Sequence, residues 1–374
     1  MRRGFNLFSI GGIQISIHYS WFLVLGLVVW SLAVKVFPQA YPGFGKPTIW
    51  LVSLAAALLL FISVLLHELS HSFVANRLGL GIQGITLFIF GGIAQLGKEP
   101  DDPNVELKVA IAGPACSLAL AVVFFVAYLA LLTEFGRTPI VAVLEYLWYV
   151  NAALVAFNLV PGFPLDGGRI LRAILWKRNK DVRRSTRIAS LFGRGFAIVL
   201  ILGGLLEIFL RGDLGGLWYV LIGMFLQQAA QGSYQQVLVR NALSGMRVRQ
   251  TMTTDVIYVG PQLSLVELVE SFFFKYRFNS FPVVDGASLV GMIDVEQVKH
   301  VPREEWHAVT VRDIMTPISA ELVLHPEDDA VDALTKMLKS GWGMLPVAEG
   351  DRLLGILTRR DVMTLLKIKT DLGT

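Results

Sequence analysis

His67, Glu68 and His71 form the pattern His-Glu-Leu-Ser-His within a long apolar stretch. At ~100° per residue, helix positions four apart lie within ~40° of each other. Both imidazoles then face the same way one turn apart, as two ligands of one zinc ion must. Glu68 falls between them in angle, within reach of a water at such an ion and suited to act as general base. The five-residue pattern alone carries little in a soluble helix. In a segment bound for lipid it carries more, because ionisable groups at membrane depth are costly and mark functional sites. The bland alternative is a buried polar cluster joining two helices.

A catalytic zinc needs a third protein ligand and an open position for water. The chain has six histidines, of which His300, His307 and His325 belong to its charged C-terminal part and His18 sits at the entry to the first apolar stretch. Glu145 lies toward the opposite face, and Glu207 is close in sequence to Arg211. Asp166 is better placed. It follows the fourth apolar stretch in Asn-Leu-Val-Pro-Gly-Phe-Pro-Leu-Asp-Gly-Gly-Arg, residues 158–169. The prolines end a helix and the glycines permit a tight turn. Asn158, two helical turns earlier, can offer an amide donor to a developing oxyanion or hold substrate backbone.

The elements that must position these groups belong to two unlike halves. The 374 residues are 54% apolar and 17% charged, with a mean hydropathy of +0.59. Soluble domains carry about 25% charged residues, so a wholly water-soluble protein is excluded. The single cysteine, Cys116, excludes a disulfide scaffold. Residues 1–245 hold 19 Lys and Arg against 11 Asp and Glu, and residues 246–374 hold 14 against 18. The first part is sparsely charged and basic, and the second has the charge density of a soluble domain. The basic residues of the apolar half are explained by membrane topology, so no nucleic-acid partner is expected.

Spanning ~30 Å of hydrocarbon takes ~20 mostly apolar residues. Six stretches qualify: 17–36, 49–75, 105–132, 140–159, 188–210 and 214–230. Arg2 and Arg3 precede the first, and a basic run from Arg169 to Arg187 follows the fourth. Positive loops stay inside, which predicts cytoplasmic N- and C-termini and a multi-pass protein of the cell membrane. No cleaved signal peptide is expected, because the first apolar stretch begins late, is long and lacks a small-residue cleavage site. Residues 80–96 do not fit a helix. They are glycine-rich around a β-branched and aromatic centre that includes Ile85, Thr86, Phe88 and Phe90. A re-entrant hairpin beside the site is expected, since strand-like backbone at membrane depth must be buried in protein or line a wet cavity. A loop on the cytoplasmic surface is the alternative.

HELSH (67–71), AGPACS (112–117) and NLVPGFPLDGGR (158–169) together resemble the site-2 protease family of intramembrane zinc metalloproteases, over about residues 1–230. The resemblance implies one zinc held by His67, His71 and Asp166, with Glu68 as base and Asn158 as a substrate-binding or transition-state-stabilising group. It also implies that substrate pairs with the hairpin as an added strand, along an edge containing Ile85, Thr86, Phe88 and Phe90. Gly113 and Pro114 would be a packing element near the zinc, and plain helix–helix contact through small residues is equally compatible. The implied activity is regulated intramembrane proteolysis of single-span membrane proteins within the bilayer.

The charged part repeats at an offset of about 64 residues. Val248-Arg-Gln-Thr-Met-Thr matches Val311-Arg-Asp-Ile-Met-Thr, and Phe281-Pro-Val-Val matches Leu345-Pro-Val-Ala. Amphipathic helices are expected near 263–276 and 330–339, with paired strands around 282–284 and 290–293. Two copies of so long a unit make a paired domain rather than a solenoid. The units resemble tandem CBS domains, which implies an adenine nucleotide (ATP, ADP or AMP) and a homodimer through the pair. The family's Gly, Thr/Ser and Asp signature stands as Gly355, Thr358 and Asp361 in the second unit. The first departs from it as Gly291, Asp294 and Gln297. One nucleotide cleft is therefore expected, with Thr358 and Asp361 on ribose and Arg359 or Arg360 toward phosphate. The alternative is that Thr358 and Asp361 merely cap the final helix.

The expected architecture is a polytopic helical membrane domain of six spans with a re-entrant β-hairpin, followed by a cytoplasmic α/β CBS pair. The boundaries are 1–232 for the protease domain, 233–246 for a linker, and 247–304 and 305–374 for the two CBS motifs. A transporter or channel regulated by CBS domains is the rival reading. It predicts an inverted repeat of membrane segments, which is not evident, and gives no reason for a glutamate between two histidines four apart.

Overall fold

The computed structural model describes residues 4–89, 91–96, 100–212, 215–243 and 245–372. The chain divides into two units, Met1–Gln235 and Gln236–Thr374.

Backbone in lipid must satisfy its own hydrogen bonds, and the apolar stretches accordingly fold as helices. They are α1 (Ser20–Ala40), α2 (Lys46–Arg77), α3 (Pro103–Phe135) and α4 (Pro139–Asn158), then α5 (Asp166–Asn179), α6 (Val182–Arg211) and α7 (Gly216–Leu243). Asp102 and Thr138 cap α3 and α4, each followed by a proline at the first helical position, where its missing N–H is not needed. Among the described residues five helices, α1, α2, α3, α4 and α6, are long and apolar enough to cross a membrane. Six were expected. The difference is α7, whose apolar first half is diluted by Gln227, Gln228 and Gln231. Large apolar side chains such as Leu51, Val126 and Phe209 stand exposed on the helices, as surfaces facing lipid do. Small residues let the helices approach closely, with Ala56 and Ala57 of α2 buried beside Ala142 of α4.

A four-stranded sheet lies with these helices. Its strands are β1 (Gly4–Ile10), β2 (Ile13–His18), β3 (Ile82–Phe88) and β4 (Gly91–Leu96), in that spatial order. The expected hairpin at 80–96 is β3–β4, and it is half of a wider sheet. β2 and β3 pair in parallel from Gln14 with Gly84 to Ile17 with Leu87. Ile13, Ile15 and Ile17 alternate inward, and Ile13 and Ile17 pack in one cluster with Ile85 and Leu87. β3 is thus an interior strand with β2 and β4 on its two sides, and among the described residues β1 and β4 are the outer strands of the sheet.

In the second unit β5 (Ser280–Asp285) and β6 (Ser288–Asp294) form the hairpin of the first repeat. After α8 (Ala330–Ser340), β7 (Met344–Glu349) and β8 (Arg352–Thr358) form that of the second, followed by α9 (Arg359–Leu372). The sheet order is β5-β6-β8-β7. Ser280 pairs with Asp294 and Met344 with Thr358, and the register slips at Val283/Val284 and again at Val347/Ala348. The internal repeat is therefore reproduced down to its β-bulge. Phe281, Val283 and Ile293 fill one core, and Leu345, Val347 and Leu357 fill its counterpart.

Candidate metal centre

α2 carries His67 and His71 on its buried face, and Asp166 opens α5. Nε2 of each histidine lies 3.1 Å from Asp166 Oδ2, and the two Nε2 atoms are 3.2 Å apart. All three residues are buried. Each ring is fixed through its other nitrogen, since His71 Nδ1 is 2.7 Å from the Val109 carbonyl and His67 Nδ1 is 2.9 Å from the Ser117 hydroxyl. A carbonyl only accepts, so His71 donates from Nδ1 and its Nε2 presents a lone pair.

The residues fit a zinc ion on two counts. Ligands ~2.0–2.1 Å from one ion at tetrahedral angles lie about 3.3 Å from one another, close to the three separations above. Position 113 of α3 supplies the second. A Cβ there would stand 2.1 Å from His71 Nε2 and 2.6 Å from His67 Nε2. Glycine keeps open the space that the three donors share.

Local chain geometry explains how Asp166 arrives. A Cβ at Gly167 would meet the carbonyl oxygens of Leu159 and Val160 at 2.4 Å, and one at Gly168 would meet the Gly162 backbone at 2.3 Å. The loop 159–165 folds tightly over the first turn of α5, which only glycines allow. Gly193 of α6 abuts the Phe163 backbone from the other side, and the Phe163 amide donates to the Ala189 carbonyl at 3.1 Å.

Glu68 is half-buried and pressed against β4. A Cβ on Gly92 would come within 2.5 Å of Glu68 Cγ and 2.9 Å of its Cδ. Asn158 ends α4 and is half-buried, and among the described residues no side-chain hydrogen bond joins it to the cluster. His18 bonds Ser20 through Nδ1, and Glu145 accepts from the Tyr41 hydroxyl, so neither joins the metal cluster. Gly92 and Ser117 are the residues that sequence reasoning missed as parts of the site, while Gly113 was expected near the zinc only as a packing element.

The expected substrate edge needs correction. Ile85 is fully buried, and Thr86 pairs with both Ser16 and Ile93, so over residues 84–87 β3 lies between β2 and β4 rather than at an edge. Phe88 is half-buried, with its ring 6.1 Å from that of Phe225. Phe90 lies outside the described residues. The free edge beside Glu68 belongs to β4.

In the second unit Thr358 Oγ1 donates to Asp361 Oδ2 at 2.7 Å, and the Asp361 amide donates back to Thr358 Oγ1 at 3.1 Å. Asp294 and Gln297 make the equivalent reciprocal cap in the first repeat. Arg359 donates its amide to the Gly343 carbonyl, and its side chain is exposed. A cleft of about 210 Å³ opens between the two repeats, lined by Asp294, Gln297 and His300 of the first and by Thr316, Ser340 and Trp342 of the second. It lies at the repeat counterpart of the expected site.

Residues 55–137 and 133–202 match the model of Peptidase family M50, and residues 248–303 and 311–368 match that of the CBS domain. Rip3 of Mycobacterium tuberculosis is 34% identical over 372 residues, covering 98% of this chain and 94% of that one. Zinc metalloprotease MJ0392 of Methanocaldococcus jannaschii is 32% identical over 375 residues, covering 100% and 99%. The solved site-2 protease of M. jannaschii is 30% identical, covers 62% of this chain and 95% of its own, and aligns with a TM-score of 0.43. The chain belongs to the M50, site-2 protease family of membrane metalloproteases, in the form that carries a C-terminal CBS pair.

Proposed function

We propose that this protein is an intramembrane zinc metalloprotease that cuts a peptide bond in or near the membrane segment of single-span proteins. The convergence of His67, His71 and Asp166 on one glycine-lined space, with Glu68 alongside, carries the reading. When bound, zinc acidifies a water and polarises the scissile carbonyl. Glu68 accepts the water's proton and passes it to the leaving amine. The Asn158 amide donates to the substrate as charge builds on its carbonyl oxygen. Ser117 and Val109 hold the imidazoles in place throughout.

A helical substrate hides its carbonyls in its own hydrogen bonds and must unwind before attack. The outer edge of β4 offers unpaired backbone for the extended form, and Gly92 lets that edge approach Glu68. Substrates are anchored proteins already shortened by another protease. With both termini cytoplasmic and the site near that face, the product is released to the cytoplasm.

The CBS pair, with motifs at 247–304 and 305–374 after a 233–246 linker, binds an adenine nucleotide, supports a homodimer and modulates access to the site. Such control requires the nucleotide to bind the open and closed states with different affinity. The test of the catalytic reading is Glu68→Gln in purified, reconstituted protein. It should retain zinc and lose cleavage of a single-span substrate, and sustained cleavage would defeat the assignment.

A further inference from the structure

Glu106 is a fully buried carboxylate near the start of the mostly apolar helix α3. Its Oε1 accepts a hydrogen bond from Arg172 Nε at 2.7 Å and a second from Nη2 of the same guanidinium. Arg172 stands on α5, six residues or about 9 Å of helix axis beyond Asp166. The guanidinium also lies over the Phe163 ring, 4.9 Å from its centroid. Phe163 belongs to the loop that delivers Asp166. On α3, Glu106 is one turn from Val109, and the same helix supplies Gly113 and Ser117 to the histidines.

Desolvating an ion pair is a poor way to glue helices, because apolar side chains of similar volume often hold them as well or better. A guanidinium gripping a carboxylate instead supplies direction and a fixed separation, which apolar contact lacks. Asp166 needs that fixity. A functional constellation tolerates about 0.5 Å of error, and sliding α5 along α3 by more would carry the carboxylate away from the imidazoles. We propose that Glu106 and Arg172 are positioning residues, which set the register of α5 against α3 so that Asp166 meets His67 and His71. The proposal rests on the metal reading above and adds a determinant of that site outside its own donors.

The test uses the full chain in detergent with Co²⁺ as probe, because its visible absorption reports the ligand geometry. Affinity is read by competition with a chelator, and thermal unfolding is followed in parallel. Arg172→Lys keeps the charge and removes the fork. The double variant Glu106→Met/Arg172→Met removes both charges and keeps an apolar filling. Tyr41→Phe, which loses the Tyr41–Glu145 bond at the other end of α2, serves as a control for general destabilisation.

Both positioning variants should hold Co²⁺ at least tenfold more weakly than wild type, with an altered absorption band, even where the double variant unfolds at the wild-type temperature. Tyr41→Phe should keep the wild-type band. Folded variants with wild-type affinity and spectrum would overturn the proposal. Failure of both variants to fold would overturn it too, since the pair would then serve the fold rather than the register. A wild-type chain that takes up no Co²⁺ would instead remove the metal reading itself, and this proposal with it.

Discussion

Gly113→Ala is the smallest substitution that should empty the metal centre. The added methyl would stand 2.1 Å from His71 Nε2 and 2.6 Å from His67 Nε2. Non-bonded carbon contacts rest at ~3.5–4.0 Å, so it would overlap both rings by roughly an ångström. The rings cannot simply retreat, because Ser117 and Val109 grip their far nitrogens at 2.9 and 2.7 Å. Breaking those bonds costs about 1 kcal/mol each, and losing a group that orients a ligand lowers metal affinity 10–100-fold. Two such losses weaken zinc binding at least ~100-fold, or about 2.8 kcal/mol. Alanine favours a helix interior over glycine by roughly 0.5–1 kcal/mol, so α3 itself should not be weakened. Zinc per chain would be measured on purified protein after dialysis against a chelator, with circular dichroism as the check on folding. A variant that keeps one zinc per chain at wild-type affinity would refute the reasoning.

Three further outcomes follow from the same geometry. Ser117→Ala removes the partner of His67 Nδ1 and should weaken zinc binding 10–100-fold, measured by the same competition; an unchanged affinity would mean that Ser117 does not orient the ring. Gly92→Val drives a side chain into Glu68, so cleavage should fall at least tenfold while zinc affinity stays within twofold of wild type. Equal loss of both, in parallel assays, would contradict the separation of base from ligands. Titration calorimetry of the full chain with ATP, ADP and AMP should show binding by at least one, and no heat with any of them would remove the nucleotide role.

Much of the site could be read from the chain because its information is local. His67, Glu68 and His71 share one helical turn, and that periodicity needs no tertiary knowledge. Asp166 was reachable because the prolines and glycines around it announce a turn at the end of an apolar stretch. The CBS repeat was equally legible, since Phe281 and Leu345 open matching motifs, and the structure adds a bulge beside Val283 that recurs beside Val347. What escaped was non-local. The alternation Ile13, Ile15, Ile17 marks a strand on inspection, but nothing in 13–18 says that it pairs in parallel with 84–87. That pairing turns β3 into an interior strand and moves the free edge to β4. The role of Gly92, and that of Gly113 beyond packing, escaped for another reason. A glycine's importance lies in what a side chain would strike, and the atoms it would strike sit on another element of the fold.

The most direct test of the central claim is zinc content measured alongside cleavage of a single-span substrate, in purified wild type and in His67→Ala. Wild type should carry one zinc per chain and cut, while His67→Ala should carry none and leave the substrate intact. Undiminished cleavage by the zinc-free variant would contradict the account.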